Sequence, residues 1–92
     1  MTTASARHIL VASEEQAIDL KNQIAGGADF AELAAQHSTC PSGRNGGDLG
    51  EFGPGQMVAE FNDVCFNEAV GVVHGPVKTR FGYHLIEVTK RD

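Results

Sequence analysis

The hydrophobic pattern at the two ends of the chain predicts strands. His8 to Val11 is a short apolar run with β-branched members, which is typical of a strand. Residues 1–6 before it are small and polar, and we expect them to be frayed. Tyr83 to Thr89 alternates in the manner of a longer strand, with His84 and Ile86 on one face.

Helical spacing dominates the region between these strands. Ser13 is placed to cap a first helix, whose apolar residues recur at helical intervals until Gly26. Asp29 is placed to cap a second helix that ends near Ser38. A third helix is predicted from Gln56 to Asn67.

A glycine-rich segment, Cys40 to Phe52, separates the second and third helices. Each glycine in a helix interior costs roughly 1 kcal/mol relative to alanine, so the segment predicts an ordered loop leading into a short strand over Leu49 to Phe52. Val72 to Val77 is extended but interrupted by Gly75-Pro76, which favours a sheet edge or a bend at that point. The order β-α-α-loop-β-α-β-β predicts one α+β domain over residues 1–92, with a small mixed or antiparallel sheet.

Charge and cysteine content limit the possible functions. The 92 residues carry a net charge of −5, which argues against binding nucleic acid or an anionic membrane through a basic surface. No apolar run approaches the roughly 20 residues needed to span a bilayer. Two cysteines are too few for a disulfide framework, so we expect reduced thiols and a cytoplasmic protein.

Three side chains are candidates for chemistry. His8 and His84 both stand near the start of predicted strands, and adjacent strands would let both imidazoles point to one face. Cys40 begins the loop that must pass nearby. A lone histidine among apolar neighbours is more often a buried core residue, but two in similar settings weaken that interpretation. Cys65 lies on the apolar face of a helix, and we assign it to the core.

Other kinds of site are less well supported. The cysteines and histidines lack zinc-ligand spacing, and the loop lacks the Lys-Ser/Thr of a phosphate cradle. A hydrolase with Cys40 as nucleophile and His8 or His84 as base is conceivable. Against it, Cys40 has no predicted helix N-terminus and no obvious cationic neighbour to lower its pKa.

Several blocks of the sequence, between about His8 and Val88, resemble parvulin-type peptidyl-prolyl cis/trans isomerases, most closely the small single-domain bacterial forms. The blocks are His8–Val11, Cys40–Gly43, Gly46–Phe52, Gly55–Met57, Phe61, Gly75–Val77 and Phe81–Ile86. They occur in the order and spacing of that family.

The resemblance implies a fold, an activity and a set of site residues. The fold is a four-stranded antiparallel sheet surrounded by helices. The activity is rotation of X-Pro bonds in unfolded or flexible protein chains, which assists folding and needs no cofactor or metal. The implied partners are proline-containing peptides and unfolded proteins, and we expect a monomer. The implied catalytic residues are His8, Cys40, Thr79 and His84, and the implied substrate-binding residues are Leu49, Met57, Phe61 and Phe81.

Two questions stay open at this point. Parvulins directed at phosphorylated Ser/Thr-Pro carry Lys and Arg in the loop after the first strand. Here that loop, 12–15, ends in Glu14 and Glu15, so we expect a non-phosphospecific site that disfavours an anion before proline. The alternative function is a non-catalytic chaperone module that binds proline peptides. Cys40 could attack the carbonyl or only tune the polarity of the site, and we favour the non-covalent role.

Overall fold

The computed structural model describes residues 3–91, in which four strands form one antiparallel sheet. The strands are β1 (Ala4–Val11), β2 (Asp48–Phe52), β3 (Val73–Thr79) and β4 (Gly82–Arg91). Their order across the sheet is β2-β1-β4-β3. The two central strands pair from Ala4 opposite Arg91 to Val11 opposite Tyr83. This confirms the four-stranded antiparallel sheet, and β3 lies at its edge as expected.

In the same described residues, three α-helices and one 3₁₀ helix surround the sheet. The helices are α1 (Glu14–Ala25), α2 (Phe30–His37) and α3 (Ala59–Asn67), and the 3₁₀ helix is Pro41–Asn45. The predicted caps are present, since Ser13 Oγ accepts the Gln16 N–H at 3.2 Å and Asp29 Oδ2 accepts the Glu32 N–H at 3.1 Å. Within residues 3–91, no helix is long and apolar enough to cross a membrane.

The core consists of two apolar clusters, and alternation along the strands places them on opposite faces of the sheet. Odd-numbered residues such as Ile9 and Leu85 pack with α1 and α2. Even-numbered residues such as Ala6 and Ile86 pack with Phe61 of α3. His8 and His84 are also even-numbered, so both imidazoles lie on the α3 face.

The expectation that residues 1–6 are frayed is wrong for Ala4 to Ala6, which begin β1. Ala4 and Ala6 are 1% and 0% exposed and pack on the α3 face, while Ser5 points the other way. Small residues alternated here without a bulky apolar run, so the pattern did not predict a strand. Met1 and Thr2 lie outside the described residues.

The third helix starts later than predicted, at Ala59 rather than Gln56. A turn over Gly53 to Gln56 is closed by a 2.8 Å bond from the Gly53 N–H to Gln56 Oε1. Val58 is extended, with φ −60° and ψ 153°, and forms the N-cap. Met57 therefore precedes the helix and does not share a helical face with Phe61.

The glycine-rich segment is also more regular than an open loop. Cys40 is the N-cap of the 3₁₀ helix, and Gly46 ends it with φ +70°. Only one of the glycines, Gly43, lies inside the helix. Proline at the first helical position is compatible with this start, because the missing N–H would have had no helical partner there.

Candidate active site

A pair of buried histidines forms the floor of the site. In the pairing of β1 with β4, His8 is opposite Ile86 and His84 is opposite Leu10. This diagonal offset brings the two Nδ1 atoms to 2.9 Å, with the rings nearly parallel at 17°. The side chains are 5% and 3% exposed. The expectation that the two imidazoles point to one face is confirmed.

Burial keeps both imidazoles neutral at pH 7. It lowers the pKa of His8 to about 4, and the neighbouring His84 acts in the same direction. It also lowers the pKa of His84, against an opposing influence from the carboxylate of Glu60. A bond between two Nδ1 atoms requires that one ring donates its proton and the other offers a lone pair. The neutral pair satisfies this requirement.

The histidine pair is the centre of a longer hydrogen-bonded chain. Thr79 Oγ1 lies 2.7 Å from His84 Nε2, and Ser42 Oγ lies 3.1 Å from His8 Nε2. The Ser42 hydroxyl donates in turn to Cys40 Sγ at 3.3 Å. One assignment of protons satisfies every bond, with each group from Thr79 to Ser42 donating to the next and Cys40 sulfur as the final acceptor.

The backbone of β1 positions Cys40. The Thr39 N–H donates to the Leu10 carbonyl at 2.8 Å, and the Leu10 N–H donates to Ser38 Oγ at 3.1 Å. The segment after α2 therefore docks on β1 where β2 no longer pairs with it. Cys40 follows directly and is held beside the histidines.

Close backbone approach at Gly47 fixes the other end of the 3₁₀ helix. The His8 N–H donates to the Gly47 carbonyl at 2.9 Å. A Cβ at Gly47 would lie 2.3 Å from the His8 carbonyl oxygen, and its φ is +82°. Only glycine fits this position without a backbone shift.

An apolar cavity of about 540 Å³ opens above the histidines. Phe61 stands edge-on to both rings, with centroid distances of 5.4 Å to His8 and 5.8 Å to His84. Phe81 is 57% exposed at the mouth, and the Arg80 guanidinium lies 4.9 Å from its ring centroid. The cavity combines apolar walls with a polar, neutral floor.

The structure brings seven of the eight predicted site residues to this cavity. They are His8, Cys40, Leu49, Met57, Phe61, Phe81 and His84. Thr79 does not line the cavity but is buried behind His84, where it accepts the Phe81 N–H at 3.1 Å. Cys65 is fully buried in the core, as predicted, and burial raises its pKa to about 11.

Sequence reasoning missed Ser42, which links the thiol to the histidines. It also missed Leu10, Gln56, Val58 and Arg80 in the cavity wall. Nothing in the composition distinguishes Ser42 from other loop serines. The signal that could have found it is its position two residues after Cys40, which lets both side chains share one side of a tight turn.

The geometry disfavours the hydrolase hypothesis. Cys40 is half-buried, and its sulfur contacts the Ser42 hydroxyl rather than an imidazole. The expectation that Cys40 lies at no helix N-terminus is wrong, because it caps the short 3₁₀ helix. Among residues 3–91, however, its sulfur has no hydrogen bond to a base or a cation that would activate it as a nucleophile. The lowered pKa of His8 also makes that ring a weak base.

Comparison with known proteins agrees with this geometry. Residues 3–90 match the rotamase family described as the PPIC-type PPIase domain. The chain belongs to this parvulin family of peptidyl-prolyl isomerases. The foldase protein PrsA of Geobacillus sp. strain WCH70 is 52% identical to the parvulin domain over 88 residues, which are 95% of this chain and 32% of PrsA.

Solved structures resemble the parvulin domain over nearly its whole length. The crystal structure of the peptidylprolyl isomerase PrsA from Bacillus anthracis has a TM-score of 0.95 and 38% identity, covering 99% of this chain and 42% of that one. NmPin, the parvulin of Nitrosopumilus maritimus, has a TM-score of 0.87 and 34% identity, covering 98% of both chains. The chain spans about a third of the length of the PrsA relatives it matches.

Proposed function

We propose that this domain accelerates cis/trans rotation of X-Pro bonds in unfolded or flexible polypeptides, with proline in the apolar cavity. The observation that carries the proposal is the neutral His8–His84 pair at the floor of that cavity. Unaided rotation faces a barrier of roughly 18–20 kcal/mol and takes tens to hundreds of seconds.

The cavity acts on the electronic change that accompanies rotation. A planar amide is polar because its nitrogen lone pair is delocalised, and twisting removes that delocalisation. Walls formed by Met57, Phe61 and Phe81 favour the less polar twisted state over the planar one. Only this difference accelerates rotation, because equal stabilisation of both states would not lower the barrier.

We assign the four catalytic candidates to a non-covalent role. Thr79, His84 and His8 form a preorganised neutral network, and Cys40 is its terminal acceptor through Ser42. Cys40 then sets the polarity near the rotating carbonyl without attacking it. An inactive Cys40→Ser variant with an intact fold would contradict this role.

The domain does not require phosphate before proline. Residues 12 and 13 join β1 to α1, and α1 begins with Glu14 and Glu15, so this junction offers no Lys or Arg to a phosphate. A phosphoserine peptide should therefore gain nothing there over its unmodified form.

The cellular role follows from the same activity. Relatives carry the name foldase, and a domain that isomerises exposed X-Pro bonds would assist the folding of proline-containing clients. Monomeric state, cytoplasmic location and the lack of nucleic-acid or membrane partners stay predictions.

The test is the isomerisation rate of a proline tetrapeptide, measured by protease-coupled assay and by NMR exchange. We expect the domain to accelerate exchange, and His84→Ala to abolish most of it while the exposed His37→Ala has no effect. Peptide binding without acceleration would support the non-catalytic chaperone module instead.

A further inference from the structure

A second cavity adjoins the proline cavity. It measures about 470 Å³ and shares the wall formed by Thr39, Cys40 and Pro41. From that wall it follows the 3₁₀ helix as far as Arg44. The two cavities are therefore adjacent along the segment from Thr39 to Pro41.

The two cavities carry an unusual charge for this protein. The chain has twelve acidic residues and a net charge of −5, yet within residues 3–91 no carboxylate lines either cavity. The charged side chains that the described residues contribute to their walls are Arg44 and Arg80, since the buried His8 and His84 are neutral. Glu60 acts on His84 from nearby but does not line the wall.

Within the described part of the chain, the Arg44 side chain is not neutralised by a carboxylate. Arg7 pairs with Glu87, and Lys21 and Arg91 donate to backbone carbonyls. Among residues 3–91, none forms an ion pair or hydrogen bond with the side chain of Arg44, Arg80, Lys78 or Lys90. Of these four, Arg44 and Arg80 line the cavities, whereas Lys78 and Lys90 do not. Arg44 is exposed at the end of the second cavity and available to a ligand.

We propose that the second cavity is an extended substrate subsite, in which Arg44 selects an aspartate or glutamate side chain of the polypeptide being isomerised. The proposal rests on the proposed isomerase function. The four residue steps from the N-cap Cys40, beside the proline cavity, to Arg44 in the 3₁₀ helix span about 8 Å at a rise of roughly 2 Å each. An extended peptide covers that span in two to three residues of about 3.3 Å. The selected acid therefore lies two or three residues from the proline.

This subsite concerns a different position from the expectation drawn from Glu14 and Glu15, which applies to the residue before proline. Those carboxylates lie in the first turn of α1 and line neither cavity. They give no reason for the cleft to reject an acidic segment. The positive lining favours one.

The test uses octapeptides with a central Ala-Pro, each carrying one Glu two or three residues before or after the proline, and matched peptides with Gln at the same position. The measured quantity is the ratio of kcat/KM for the Glu peptide to that for the Gln peptide. At one or more positions we expect a ratio of roughly two- to fivefold, the size of one exposed ion pair. It should fall toward one at 0.5 M salt.

Substitutions assign the effect to a residue. Arg44→Gln should remove the preference, whereas Lys90→Gln, which changes net charge equally at an exposed site outside both cavities, should keep it. A ratio unchanged in Arg44→Gln, or lost only in Arg80→Gln, would overturn the proposal. So would a ratio of one or less at every position.

Peptide binding separates this proposal from the proposed function. Dissociation constants for the same Glu and Gln peptides, obtained by NMR titration, do not depend on turnover. If no peptide is isomerised but Glu peptides still bind more tightly through Arg44, the subsite stands and the isomerase function fails. If all peptides are isomerised and bound equally, the isomerase stands and the subsite fails.

Discussion

The buried histidine pair predicts that the domain loses stability at a mildly acidic pH. Folding lowers the pKa of His8 from 6.5 to about 4, because burial and the adjacent His84 disfavour the imidazolium. The unfolded chain, in which the ring is solvated, binds the proton more readily. The contribution of His8 to stability is therefore complete above about pH 6.5 and is lost as the pH falls toward 4.

The size of the effect follows from that difference. Each pKa unit corresponds to about 1.4 kcal/mol, so the full loss is roughly 3 kcal/mol, of which about 2 kcal/mol appears between pH 7 and pH 5. The interval lies above the range near pH 4 in which carboxylic acids usually titrate and includes the usual range of imidazole. His84, whose pKa is also lowered, adds in the same direction. Such a loss is a large fraction of the roughly 5–15 kcal/mol that stabilises a typical domain.

The assay is urea unfolding followed by circular dichroism at pH 7, 6 and 5. We expect the free energy of unfolding to fall by about 2 kcal/mol or more across the series for the natural sequence. His8→Asn, which keeps a polar side chain but cannot titrate there, should show a clearly smaller decrease, while the exposed His37→Gln should match the natural sequence. A flat profile, or the same decrease in His8→Asn, would refute the reasoning.

Three other predictions test the cavity and its supports. In chemical denaturation, Gly47→Ala should lower the free energy of unfolding by more than about 1 kcal/mol beyond the loss in Gly50→Ala. Both glycines have positive φ, but only a Cβ at Gly47 would clash with the backbone of His8 in β1. Equal losses in the two variants would show that this close approach to β1 is unimportant. Phe81→Ala should raise KM for proline peptides with little loss of stability, because the ring is exposed. Phe61 is buried, so Phe61→Ala should lower the free energy of unfolding by about 3–5 kcal/mol. An unchanged KM in Phe81→Ala would exclude the Phe81 ring from peptide binding. Cys40→Ser should keep most of the isomerisation rate, since a hydroxyl at position 40 can also accept the hydrogen bond from the Ser42 hydroxyl. Near-complete inactivity with normal folding would favour covalent attack by the thiol.

Much of the fold could be predicted because local and tertiary signals agree. Ser13 and Asp29 marked two helix starts correctly, and the alternation in β4 identified the longest strand. The approach of His8 to His84 could be predicted only for a sheet in which β1 and β4 are adjacent. The sheet order fulfils that condition.

The features that the sequence did not predict have a common physical cause. Ala4 and Ala6 are buried through pairing with β4, and Met57 is kept out of α3 by a turn whose closure depends on a side-chain amide. Ser42 enters the network because the 3₁₀ helix folds it back toward Cys40. In each case a long-range or backbone contact determines the local structure, and such contacts cannot be inferred from hydrophobic periodicity.

The pairing of Ala4 with Arg91 has a consequence for how this domain could be joined to others. Antiparallel partners lie about 4.5–5.5 Å apart, so the described chain enters and leaves the sheet at nearly one point. That point is at the strand ends remote from His84, which pairs near the opposite end of β1. A host polypeptide could therefore carry the domain as a side loop, with its own backbone continuing almost uninterrupted and the catalytic mouth facing away from the junction.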